Sequence, residues 1–178
     1  MPGTDPEEHD AVDRMVAQWA RERPELDTGP MAVIGRLHRL GDLLEAELRT
    51  VFAEAGLGNG DFDVLATLRR AGEPFRLSPG ELSASTMVTS GAVTKRVDRL
   101  VEKGLVKRTV SATDARGREI QLTPQGLALT DELVVRHWDN EDRLLAALGP
   151  EERVQLAGLL RRVLLDVEGP TAGPVDAS

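Results

Sequence analysis

Apolar residues recur every three or four positions along most of this chain, which is the spacing of helices that bury one face. Val12, Met15, Val16 and Trp19 share such a face in a helix expected from Asp10 to about Arg23, where Pro24 ends it. Thr28 is the expected N-cap of a long second helix reaching about Ala55, with Pro30 near its first turn. Ile34, Leu37, Gly41, Leu44, Leu48 and Val51 form its stripe, widened by Leu40 and Phe52. Steps alternating between three and four suit a helix lying along a partner helix. Gly60 or Asp61 opens a third helix, with Phe62, Val64, Leu65 and Leu68 apolar and a break at Gly72.

Beyond Gly72 the pattern shortens. Phe75, Arg76 and Leu77 are expected to be extended. Ser78 and Glu81 form a capping box around Pro79 and launch a short helix to about Ser85. Thr89 starts the next helix, which Gly104 stops. Residues 106–110 and 118–122 read as two strands joined by a turn at Asp114-Ala115-Arg116-Gly117. Thr123 then caps a helix to about Ala147, and Gly149-Pro150 starts a last one to about Val167. Both long C-terminal helices carry leucine-rich faces.

Two short capped helices followed by a two-stranded hairpin make a winged helix-turn-helix. The fold class expected is mainly α with a small β-wing, flanked by N- and C-terminal helices. The expected organisation is a disordered start over residues 1–9, N-terminal helices over 10–55 and the winged domain over 56–123. C-terminal helices over 124–167 and a disordered tail over 168–178 complete it.

Charge changes the picture next. A net charge of −8 argues against DNA at first sight. Between Val64 and Gly126, however, 11 Lys and Arg stand against 6 Asp and Glu, a local +5 that leaves −13 for the rest. A basic centre between acidic ends confines phosphate attraction to one surface. With Val93 at zero on a helical wheel, Val97, Leu100, Val101 and Gly104 define the buried side, and Lys95 points about 200° away with Arg99 beside it. Thr89, Ser90, Gly91, Thr94 and Lys95 occupy the end of a recognition helix that normally meets base edges in the major groove. Arg116 at the turn tip is placed to enter the minor groove, braced by Asp114. Taken alone, Lys95 and Arg99 would be a solvated helix face; with the flanking helix and the wing beside them, both are expected to contact DNA.

Other classes find little support. No Cys is present, which excludes a disulfide scaffold, a thiolate zinc site and a cysteine redox sensor. His9, His38 and His137 lie on separate segments and match no metal-ligand spacing, and no phosphate loop or nucleophile elbow occurs. An enzyme is not expected, nor is a cofactor. No window has the apolar length of a membrane span, and the acidic N-terminus lacks a signal-peptide pattern. A cytoplasmic protein is the expectation.

The residues Val93-Thr-Lys-Arg-Val-Asp-Arg-Leu-Val-Glu-Lys-Gly-Leu-Val-Lys-Arg108, then Asp114-Ala-Arg-Gly117, then Leu122-Thr-Pro-Gln-Gly126, resemble the MarR family of bacterial regulators over roughly residues 30 to 167. That resemblance implies a homodimer with interlocking N- and C-terminal helices, each winged domain reading one half of a pseudo-palindromic double-stranded operator. Ala115 departs from the pattern, since the wing often has a further Arg there.

A narrower resemblance, to the urate-responsive branch of that family, rests on the extra N-terminal helix and four residues. Trp19, Asp63, Arg96 and Arg108 match that branch's Trp, Asp, recognition-helix Arg and wing-strand Arg. It implies a small anionic effector such as urate and release of a repressor from DNA. The chemistry is coherent. Arg96 lies toward the scaffold side of its helix, Arg108 can hold a planar anion bidentately, and Trp19 can stack on it. Asp63 would be repelled by the bound anion. Citrate- or aconitate-like acids and aromatic carboxylates suit the same cations. Each residue also has an ordinary role open to it: Trp19 as interface plug, Asp63 as helix cap, Arg96 on phosphate, Arg108 paired with Asp98 or Glu102. An effector-independent DNA-binding protein is the remaining alternative.

Overall fold

A computed structural model describes residues 9–86, 90–110 and 117–169, with the side chains of 90–92 outside that description. Among the described residues seven helices and three strands follow in the order α1 (Ala11–Glu22), α2 (Gly29–Ala53), α3 (Asn59–Arg70), β1 (Arg76–Leu77), α4 (Pro79–Ser85), α5 (Ser90–Glu102), β2 (Val106–Val110), β3 (Arg118–Leu122), α6 (Pro124–Leu144) and α7 (Pro150–Glu168). Two compact units divide within α6, between Leu133 and Val134.

In the first unit, α3 is the central post. Val64, Leu65 and Leu68 are wholly buried on it, and α4, which buries Leu82, and α5, which buries Leu100, both pack on α3. The ring of Phe62 stacks on Phe52 of α2 at 4.2 Å between centroids, joining α2 to this core. The sheet runs β1-β3-β2, antiparallel throughout, with Arg108 opposite Ile120 and Leu77 also opposite Ile120 across the other edge. β1 is thus a third strand, where the sequence suggests only an extended stretch. Phe75 is not extended: its φ is +58°, and Arg69 stands over its ring at 5.0 Å while binding Asp131 of α6 at 2.6 Å.

Capping explains where the helices begin. Ser78 Oγ accepts from Glu81 N–H and Glu81 Oε2 accepts from Ser78 N–H, so the expected box around Pro79 is formed. Thr28 sits at the N-cap of α2 without a side-chain bond; Asp27 accepts the Gly29 N–H at 2.9 Å in its place. At the end of α5 Gly104 adopts φ +71°, and Leu105 N–H reaches back to Leu100 O at 3.0 Å. Gly104 is exposed rather than on the buried side, because the left-handed turn carries the chain off the helix wheel. The next helix starts against this turn: Thr123 Oγ1 donates to Gly104 O at 2.7 Å and accepts from Gly126 N–H at 3.0 Å.

α1 is fastened to α2 at two points. Val12, 1% exposed, lies against Gly35, where an added Cβ would come within 3.1 Å of it. Arg36 donates to Asp10 at 2.9 Å and to Asp13 at 2.6 Å. Asp10 also caps α1, accepting from the N–H groups of Val12 and Asp13.

The hydrogen bond from Arg36 holds the Asp13 carboxyl below its ordinary value of 3.8, and the backbone N–H of Asp13 does the same for Asp10. Lowered carboxyl values stabilise the folded state above the unfolded value and lose that contribution as pH falls through the folded one. α1 is therefore expected to detach from α2 as pH drops below about 4. Trp19 fluorescence in a Trp138→Phe background checks this, and a pH-independent signal between 6 and 3 would contradict it.

In the second unit, α7 buries no residue of its own. Leu156, Leu159, Leu160, Val163 and Leu164 are exposed along it. Arg153 at its start holds Leu145 O at 3.0 Å and Leu148 O at 3.0 Å, tying α7 to the end of α6. No helix among the described residues is long and apolar enough to cross a membrane.

Candidate DNA interface and anion site

α5 presents its two sides as the wheel requires. Val93, Val97 and Leu100 are buried, Val101 is half-buried, and Thr94 and Lys95 are exposed on the other side. Ser90 opens the helix. Thr89 and Arg116 lie outside the described residues, as do Asp114, Ala115 and the side chain of Ser90.

Arg99 is placed otherwise than on a free cationic face. Its Nη1 donates to Asp61 Oδ2 at 3.0 Å and Oδ1 at 3.3 Å. Asp61 is 1% exposed, and its Oδ2 also accepts the Gly58 N–H at 3.1 Å, closing the first turn of α3. The acid that serves the start of α3 is Asp61, while Asp63 is half-buried two residues on. Sequence reasoning treats Asp61 only as a possible helix opener. Its third position after Gly58 marks the capping role, but the pairing with Arg99, 38 residues away, has no local signal.

Arg96 turns back toward α3, as its place on the wheel suggests. Its guanidinium lies against the Gly60 backbone, so closely that a Cβ there would be 2.2 Å from Arg96 Cζ. Arg96 Nη1 is buried without a hydrogen-bond partner. A buried N–H of a guanidinium left unpaired is costly, and such a group calls for an acceptor. Arg108, exposed on β2, donates to Asp98 of α5, one of the two ordinary partners open to it. The structure thus brings Arg96 beside the first turn of α3, the helix that carries Asp63, and brings Arg108 to α5. Trp19 is half exposed on α1, the helix clasped to α2, with its carbonyl accepting from Arg23. None of the described groups of His, Asp and Glu is arranged to hold a metal ion.

Comparison with known proteins gives this geometry its context. The model of the MarR family matches residues 55–117. Over 152 residues the chain is 41% identical to the HTH-type transcriptional regulator PecS of Dickeya dadantii, spanning 85% of this chain and 92% of that protein. The chain belongs to the MarR family. It is a DNA-binding transcriptional regulator with a winged helix. Among solved structures, a mutant Escherichia coli MarR in complex with operator DNA superposes with a TM-score of 0.66 at 28% identity, covering 82% of this chain and 97% of that one. Bordetella bronchiseptica BpsR, described for regulation of its DNA binding by 6-hydroxynicotinic acid, gives 0.66 at 27% identity over 74% of this chain and 91% of its own. In this MarR-family regulator α4, α5 and the β2–β3 pair make up the winged helix-turn-helix.

Proposed function

We propose that this regulator is a repressor that binds a pseudo-palindromic operator as a homodimer and leaves it when a small anion such as urate occupies a site between α3, α5 and β2. The observation that carries the effector site is Arg96, whose guanidinium lies against Gly60 at the start of α3 while its Nη1 is buried without a partner. An anion accepting from that N–H would displace the ordinary partners of the neighbouring charges. Arg108 would leave Asp98 for the ligand, Asp63 would feel added negative charge, and Trp19 would offer its exposed indole face. Because Asp98 and Arg96 both belong to α5, exchange of partners bears directly on the helix that reads DNA. Such a ligand acts by binding the DNA-incompetent arrangement better than the competent one.

For DNA, Thr89, Ser90, Gly91, Thr94 and Lys95 serve the major groove and Arg116 the minor groove. The homodimer is supported by the uncovered leucines of α7 and by exposed Val33, Ile34, Leu40 and Leu43 on α2. Apolar exposure on this scale in a chain of 178 residues marks an interaction surface.

Thermal unfolding in urate, citrate, trans-aconitate and salicylate, followed by competition with bound DNA, tests the reading. A ligand confined to the folded state stabilises it by about 2.7 kcal/mol at a hundredfold excess over Kd. Urate is expected to raise Tm and release DNA, while Arg108→Ala keeps DNA affinity within about twofold and loses most of the release. Equal release by Arg108→Ala removes that residue from the site. A second reading, with an aromatic carboxylate as effector, is favoured by the ligand of BpsR; a shift with salicylate and none with urate would select it.

A further inference from the structure

The pairing of Arg99 with Asp61 carries a role that a solvated cation could not. We propose that Arg99 is a positioning residue: its ion pair with buried Asp61 sets the rotation of α5, and so the direction in which Thr94 and Lys95 meet DNA. The inference rests on α5 being the reading helix. Asp61 is held independently of Arg99, because its Oδ2 caps the Gly58 N–H and its backbone N–H bonds Gly58 O at 2.9 Å. The carboxylate also sits in the first turn of α3, where the helix dipole favours negative charge. Its position is therefore a property of α3 rather than of the pair.

Arg99 Nη1 spans both oxygens of that carboxylate, at 3.0 and 3.3 Å. Drawing the guanidinium away to a phosphate would leave a charge 1% exposed with a single backbone N–H, and uncompensated buried charge is among the costlier states a fold can adopt. One turn earlier on the same side of α5, Arg96 lies against Gly60. The recognition helix thus meets the first turn of α3 at two successive rungs, 96 and 99. Rungs three residues apart resist rotation about the helix axis. At an outer radius of roughly 5–6 Å, a turn of roughly 20° moves a side-chain tip by about 2 Å. That exceeds the tolerance of a hydrogen bond to a base edge. The outward half of Arg99, 53% exposed, is where hydration meets a charge already committed inward.

The test uses the full-length protein and a fluorescein-labelled duplex selected by the wild type from a random pool. Affinity is followed from 0.05 to 0.3 M salt for Asp61→Asn, Arg99→Gln and their combination, at temperatures where circular dichroism shows each folded. Asp61 is not part of the proposed DNA surface, so a positioning pair makes a distinctive pattern. Each single variant is expected to bind about tenfold more weakly with the salt slope unchanged, and the double variant no more weakly than either.

A phosphate contact gives the opposite: Arg99→Gln alone lowers the slope by about 0.9, Asp61→Asn binds as the wild type does, and the effects add. That result overturns the proposal. So does unchanged affinity in all three folded variants, which would leave the pair with stability alone. Should Arg99→Gln fail to fold, Arg99→Lys decides, since a point charge retains a phosphate contact but not a two-oxygen brace; full affinity in Arg99→Lys counts against positioning. A wild type that selects no duplex would overturn the assignment of α5 as reading helix, and this inference with it.

Discussion

Replacing Gly126 by alanine is expected to destabilise the first unit by about 3 kcal/mol or more, at the upper end of what overpacking does. The reason is backbone against backbone. A Cβ at Gly126 would stand 1.9 Å from Leu105 O and 2.8 Å from its carbonyl carbon. No side chain can swing aside to relieve that contact, because Leu105 is held by its own N–H on Leu100 O and its carbonyl accepts from Thr123 N–H at 3.1 Å. Thr130 Oγ1, buried, donates to Gly126 O at 2.6 Å and fixes the other side of the same turn. The first turn of α6 would have to lift from the end of α5, breaking the Thr123 bond to Gly104 O. Thermal unfolding should show Tm lower by roughly 6 °C or more at this chain length. A Tm within about 2 °C of the wild type would mean that the first turn of α6 does not rest on Leu105. Gly104→Ala, strained only by its left-handed φ, should cost about 1–2 kcal/mol and provides the comparison.

The second large effect is expected at α7. Leu160→Glu combined with Leu164→Glu should convert the proposed homodimer into monomers. The two leucines lie one turn apart on a helix that covers none of its apolar residues. Fully burying a leucine is worth about 1.5–3 kcal/mol, so losing two from each protomer, before any penalty for burying carboxylates, removes about 6–12 kcal/mol per dimer. That is roughly four to nine decades in the dimer dissociation constant. Sedimentation velocity at micromolar protein should show the wild type as a dimer and the variant at half the mass. Operator affinity should fall with it, since one winged domain reads one half-site. The circular dichroism of the variant should be preserved, because neither leucine belongs to the core of either unit. A dimeric variant would place the interface elsewhere, on α2 or the exposed side of α6.

Much of this was legible from spacing because the governing interactions are local. The box at Ser78 and Glu81 spans three residues, and both strands of the wing begin and end where the apolar residues place them. Val93, Val97 and Leu100 need only the period of a helix. What spacing could not supply lay across the fold. β1 has two residues and takes its identity from Ile120 and Gln121 on β3. Thr28 makes no cap bond to α2, whose N2 residue Pro30 offers no N–H, while Asp27 takes the N–H of Gly29. α6 ends at Leu144 rather than Ala147, where Leu148 N–H turns back to Leu145 O.

At the site, the wheel put Arg96 on the correct side and left its contact with Gly60 undetermined. It grouped Arg99 with Lys95 as outward cations. Only the tertiary placement of Asp61 separates them, since an ion pair between helices is written in no single stretch of sequence.

The order β1-β3-β2 leaves β2 as an outer strand, with Val110 exposed at its end. An outer strand invites pairing with another chain, and cations along it are a common deterrent. Lys107 and Arg108 follow one another along it on opposite faces, both exposed. The arginine proposed to hold an effector therefore also helps keep the sheet from recruiting a strand of a neighbouring molecule. Only Lys107 would be left to that task while a bound anion neutralised Arg108, so solubility and signal reception draw on the same short strand.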